Sequence, residues 1–198
     1  MLEVGPLVGM IQIPGIKYGV QDVVTLATLN SAIEDVLGDL VRAGINSLEE
    51  QTEFLAQCLS AWLEASGRKE DVAPSEKLDP DNVAYQGRVL VSVLTLLPAC
   101  LVELKKRKVV LVSAAAEETL TKWFSQLMTR AGLLKNEKFI AKGEFKQKGF
   151  LGSGGIGRFR DTLWAAVGPK KIARLSPQKR AELANGRRSK IHSELAKP

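Results

Sequence analysis

Histidine occurs once and cysteine twice in these 198 residues, and that scarcity excludes much chemistry at the outset. A structural zinc site wants about four Cys or His ligands, so neither a metal centre nor any cofactor is expected. With His192, in "RRSKIHSEL", as the one imidazole, a Ser–His or Cys–His nucleophile would need distant parts of the chain to converge. His192 reads instead as an exposed residue of a basic segment. Cys58 and Cys100 sit in "FLAQCLSAWL" and "LLPACLVEL", apolar surroundings that suit reduced core thiols. Long apolar runs are also missing. The longest, Val89 to Val102, is 14 residues interrupted by Ser92, Thr95 and Pro98, short of the roughly 18 to 20 that span a bilayer. The apolar N-terminus lacks the basic n-region of a secretory signal, and a cytoplasmic location, or a nuclear one, is expected. Carboxylate pairs such as Glu34/Asp35, Glu49/Glu50 and Glu117/Glu118 fall where helix capping and solvation account for them. The chain is expected not to be an enzyme.

What is present is helical patterning. Apolar residues make up 45% of the chain, enough for a sizeable core. Residues 1–20, broken by glycine and proline, are expected to be an extended arm with a short strand at "MIQI". Residues 21–66 read as a helical hairpin. In its first helix, capped by Asp22 and closed by Gly44, Leu26, Leu29, Ile33, Val36, Leu37 and Leu40 recur at spacings of three and four. The second starts at the capping box "SLEE", Ser47 to Glu50, and buries Phe54, Leu55, Cys58, Leu59, Trp62 and Leu63. Residues 67–82, charged and broken by proline, are expected to be a linker.

Residues 83–134 form the expected central core. Its first part is apolar almost all round, and helix or buried strand stays open for 89–102, with a kink at Pro98. "VVLV", 109–112, is a short strand or crossover. Ser113 caps the next helix, whose core face is Leu120, Trp123, Phe124, Leu127 and Met128, with Arg130 at the negative end of its dipole and Gly132 as its stop. A small basic hairpin is expected around Lys142-Gly143. After it come a short helix, "RFRDTLWAAV", and a last helix starting at Ser176-Pro177 and stopping at Asn185-Gly186. The fold class is mainly α, a helical bundle core with a basic, glycine-hinged C-terminal region and little β.

Charge divides the chain. Residues 1–134 carry 12 Lys/Arg against 17 Asp/Glu, and residues 135–198 carry 16 against 5. Such a split directs a basic surface toward phosphates, anionic lipid or an acidic partner. The expected nucleic-acid-binding residues are Lys135, Lys138, Lys142, Lys146, Lys148, Arg158, Arg160, Lys170, Lys171, Arg174, Lys179, Arg180, Arg187, Arg188 and Lys190. Phe139, Phe145 and Phe150 lie among the first of these, spaced so that rings can stack on bases while lysines meet phosphates. Between them and the later arginines, "GFLGSGGIGRFRD" places five glycines in the nine positions from Gly149 to Gly157. It spells Gly152-x-Gly154-x-x-Gly157, but the preceding "KQKGFL" is not a β-rich strand and Glu182 is the only acid near the position where a dinucleotide ribose would need one. Gly152, Gly154, Gly155 and Gly157 are therefore expected to be a hinge. The expected function is non-enzymatic: a self-associating, nucleocapsid-like protein that binds nucleic acid, RNA above DNA, with weak sequence specificity. A matrix-like protein on an anionic membrane surface and a protein–protein adaptor are the alternatives.

Overall fold

The computed structural model describes residues 11–12, 24–67, 83–152 and 154–196. Most of the expected N-terminal arm, the Asp22 cap and nearly all of the 67–82 linker lie outside the described residues. Within "MIQI", Ile11–Gln12 (β1) pairs in parallel with Val24–Thr25 (β2). Helix α1, Leu26–Arg42, follows directly and buries Ala32, Val36 and Leu40 along its three-and-four stripe. Helix α2, Leu48–Ala65, starts at the predicted capping box: Ser47 Oγ accepts from the Glu50 amide at 3.1 Å, and Glu50 Oε2 accepts from the Ser47 amide at 3.4 Å.

The segment with two open readings is helical and broken. A short 3-10 turn, Val83–Tyr85, leads into α3, Gly87–Leu94, and α4, Leu97–Arg107, with Pro98 in the first turn of α4 and a 50° bend between the two helices. Proline lacks the amide that a continuous helix would need there, so the break falls just before it. No single helix among the described residues is long and apolar enough to cross a membrane, and Val89, Leu90, Val93, Leu94, Leu97 and Leu101 of the bent pair are buried in protein. "VVLV" is neither strand nor helix: Lys108 takes a left-handed conformation (φ 57°) that ends α4, and Val110 is exposed. Helix α5, Ala114–Ala131, is capped by Ser113 as predicted and closed by Gly132 at φ 68°.

Around α5 the core has two aromatic centres. Trp62 meets Phe124 and Phe139 edge-on, with centroids 5.5 and 5.7 Å apart, and its indole N–H donates to the Ala84 carbonyl at 3.2 Å. Phe145, Phe150 and Phe159 pack mutually at 5.1 to 5.4 Å. Cys58 and Cys100 are buried free thiols in contact with each other, and desolvation, then Cys100, hold the Cys58 thiol well above the usual cysteine range. Because the thiolate is the reactive form, both native cysteines are expected to resist a colorimetric thiol reagent until denaturant is added. Fast reaction of either in buffer would contradict this packing.

The C-terminal third belongs to the same core. The hairpin is real but displaced from the prediction: β3, Leu134–Lys135, pairs antiparallel with β4, Lys138–Phe139, through Asn136 and Glu137, both at positive φ (50° and 62°). This two-residue geometry is normally signalled by Asn-Gly, and the glutamate hides it. The Lys142-Gly143 pair instead enters α6, Lys142–Gln147. Helix α7 is Gly155–Ala166 and α8 is Pro177–Leu195, with Ser176 Oγ accepting from the Lys179 amide at 3.4 Å. The predicted stop at Asn185-Gly186 is overridden. Glycine inside a helix costs about 1 kcal/mol, whereas burying each of Ile191 and Leu195 returns roughly 1.5 to 3 kcal/mol, and both are buried.

Candidate nucleic-acid interface

Each predicted basic residue can be placed on an element. Lys135 and Lys138 lie on the β3–β4 hairpin, Lys142 and Lys146 on α6 with Lys148 at its end, and Arg158 and Arg160 on α7. Lys170, Lys171 and Arg174 lie on the turn between α7 and α8, and Lys179, Arg180, Arg187, Arg188 and Lys190 on α8. All are exposed except Arg180, Arg187 and Arg188, which are half-buried.

Some of these charges are already engaged. Lys135 Nζ lies 2.9 Å from Glu144, which holds the Lys135 ammonium above the usual lysine range. Arg188 reaches Asp161 at 3.5 Å, Lys190 reaches Glu194 at 3.9 Å, and the Arg158 Nε–H donates to the Gly149 carbonyl at 2.9 Å. Exposed pairs such as Lys135 with Glu144 contribute at most about 1 kcal/mol, so an incoming phosphate can displace them, while the Arg188–Asp161 pair is half-buried. Ten exposed cations, Lys138, Lys142, Lys146, Lys148, Arg158, Arg160, Lys170, Lys171, Arg174 and Lys179, have no carboxylate within ion-pair distance among the described residues.

The fold brings some of them together and separates others. A Cβ at Gly132 would lie 2.9 Å from the Ala173 Cβ and 3.8 Å from Lys148 Nζ, so the end of α6 meets the α7–α8 turn bearing Lys170, Lys171 and Arg174. On the other side, Arg160 and Arg188 line an open cleft of about 270 Å³ with Asp35 and Asp39 of α1, Trp164 and His192. There Asp39, buried, pairs with Arg42 at 2.7 Å and lies 3.7 Å from His192 Nδ1. Arg188 stands 5.2 Å over the Trp164 ring. Arg160 and Arg188 thus face the acidic half of the chain rather than open solvent alone.

The aromatic part of the expectation is corrected. Phe139, Phe145 and Phe150 are all buried, so the interleaving of lysine and phenylalanine reflects a surface alternating with a core, and none of these rings is free to stack on a base. Trp164 is buried too, its indole N–H donating to Thr95 Oγ1 at 3.3 Å.

The glycines differ from one another. Gly149, Gly152 and Gly154 have positive φ (73°, 81° and 70°), a conformation that disfavours a side chain. Gly155 opens α7 against the backbone of Phe150, where a Cβ would lie 2.5 Å from the carbonyl oxygen. Gly157 has nothing within 4 Å of its Cβ position. A dinucleotide fingerprint needs its third glycine for close packing and a strand before its first. Here the crowded position is Gly155, and the preceding element is α6.

Sequence reasoning misses Arg130. At the end of α5 it stands in the sequence only as a partner for the helix dipole, yet its guanidinium Nε and Nη2 are buried without a hydrogen-bond partner. Charge alone does not signal this, because the groups around it come from α8, far along the chain. Comparison with known protein families, curated proteins and solved structures finds no match to this chain.

Proposed function

We propose that the chain is a non-enzymatic, self-associating nucleic-acid-binding protein of nucleocapsid-like design, contacting RNA mainly through its phosphates. The observation that supports this reading is the set of ten exposed cations without a carboxylate partner among the described residues, held on β4, α6, α7, the α7–α8 turn and the start of α8. Burial of the phenylalanines shifts the weight from base stacking to backbone contact, in keeping with weak sequence specificity. For self-association, the exposed Glu34, Asp35, Glu49, Glu50 and Glu53 on α1 and α2 offer a charge-complementary surface to a neighbour's basic face.

Deleting everything after Leu134 would strip Phe145, Phe159 and Trp164 from the core, so surface substitution is the appropriate test. Anisotropy of a labelled single-stranded RNA is measured across salt with the full chain and with a K142Q/K146Q/K148Q/K171Q variant. The wild type is expected to bind with a steep salt dependence. The variant should bind about tenfold or more weakly, its log–log slope shallower by about 0.7 for each phosphate it no longer neutralises. Equal binding by both proteins, or none at low salt, would sink the reading. Vesicles of anionic lipid in place of RNA separate the membrane alternative, and light scattering with and without RNA reads self-association.

A further inference from the structure

Buried polar atoms without partners are rare in folded proteins, and here they cluster. Of the five buried side-chain nitrogen or oxygen atoms without a hydrogen-bond partner among the described residues, four belong to three arginines: Nε and Nη2 of Arg130, Nε of Arg180 and Nη1 of Arg187. These side chains come from two helices, α5 and α8, and surround the turn after α7. The Ile172 amide donates to the Arg130 carbonyl at 3.0 Å, Arg180 Nη2 donates to the Ala173 carbonyl at 3.1 Å, and the Arg187 guanidinium sits directly against Gly168. Gly168 has no side chain to keep it away.

The charge balance is unfavourable as it stands. Burial lowers the pKa of all three guanidinium groups, and Arg130 lowers that of Arg187 further. Arginine nevertheless stays protonated in proteins, so these cations cannot relieve one another by losing a proton. Glu103 acts favourably on Arg130, but its Oε1 is taken by Arg107 Nε at 2.7 Å. Lys148 Nζ lies 3.8 Å from the Cβ position of Gly132, and the exposed Lys170 and Lys171 belong to the turn itself. Arg130 and Arg187 lie close enough to act on each other, and Arg180 holds the same turn through Ala173. Forked donors with unfilled N–H groups, brought to one turn from separate helices, suit a tetrahedral oxyanion that accepts several hydrogen bonds at once.

We propose that Arg130, Arg180 and Arg187 form a binding site for a single phosphoryl group, supplied either by a nucleic-acid backbone or by a free phosphate compound. The site stands on its own geometry, and only its assignment to a backbone phosphate rests on the nucleic-acid reading above.

The test uses inorganic phosphate with the full chain, by thermal melting and titration calorimetry against chloride at matched ionic strength. At about 100 times its Kd, phosphate is expected to raise the wild-type Tm by roughly 5–10 °C. R130M and R187K should each bind it about 10- to 100-fold more weakly. R130M should also melt no lower than wild type in phosphate-free buffer, since it removes the cation that acts unfavourably on Arg187. A wild-type response no larger than that to chloride, or a full response in both variants, overturns the site. If phosphate displaces RNA and R130M weakens RNA binding, the ligand is a backbone phosphate; if RNA binding ignores saturating phosphate, it is a free compound. Should RNA fail to bind at all, the phosphate titration still decides the site.

Discussion

Trp164→Ala is expected to lower the stability of the whole chain by about 3–5 kcal/mol, the usual cost of removing a buried aromatic side chain. That corresponds to a fall in Tm of roughly 6–20 °C for a protein of this size. Trp164 lies in the last turn of α7, buried, with its indole N–H on Thr95 Oγ1 at the break between α3 and α4, and with Arg188 of α8 over its face. Truncation opens a cavity where three parts of the bundle meet and leaves Thr95 without that donor. Far-UV circular dichroism during heating is the measurement, and a single transition at lower temperature is the expected result. Two transitions, with the earlier one small and the later one at the wild-type temperature, would mean that the C-terminal helices fold apart from the rest, contrary to the shared core.

Gly155→Ala is expected to destabilise the protein by about 1–3 kcal/mol, the range for forcing atoms into a packed site. A Cβ there would lie 2.5 Å from the Phe150 carbonyl oxygen and 2.6 Å from its carbon. Both belong to backbone anchored by the buried Phe150 ring, so neither can swing away. Two positions on, Gly157→Ala should go the other way, stabilising by up to about 1 kcal/mol, because Gly157 is helical, uncrowded and better replaced by a stronger helix former. Chemical denaturation of the two variants side by side gives the comparison. If Gly155→Ala is neutral, the close approach of α7 to Phe150 is wrong. If Gly157→Ala is the damaging change, the third glycine of the fingerprint spelling matters after all.

Local signals in the sequence are strong where a single side chain does a single task. Ser47 with Glu50, Ser113, and Ser176 followed by Pro177 each satisfy free amides at a helix start, and all three starts are legible. So is the face of α5, where Leu120, Trp123, Phe124, Leu127 and Met128 are all buried. The misreadings share a cause: tertiary contacts outvote local preference. Gly186 looks like a stop until Ile191 and Leu195 are given somewhere to go. Asn136-Glu137 is a tight turn whose second residue is not the glycine that usually marks one. Phe139, Phe145 and Phe150 are spaced like a stacking surface but pack on Phe159 and Trp62. At the candidate site, the exposed lysines are legible as charge. The arginine trio is not, because it exists only once α5 and α8 have come together around residues 168–173.

The uneven anchoring of the last two long helices has a consequence for how the molecule breathes. Seven residues of α5 are buried, against three of α8, Ala184, Ile191 and Leu195. Local opening follows the amount of buried apolar contact, so α5 is released only when the whole structure is, while α8 can lift off in a smaller excursion. Beyond these it packs along α7 with Leu183 partly buried, and is tied by ionic and arginine contacts: Lys106 with Glu194, Arg188 with Asp161, Arg180 and Arg187 against the 168–173 turn. Such a latch answers to ionic strength and to polyanions as well as to heat, and an anion seated among its arginines would hold it shut.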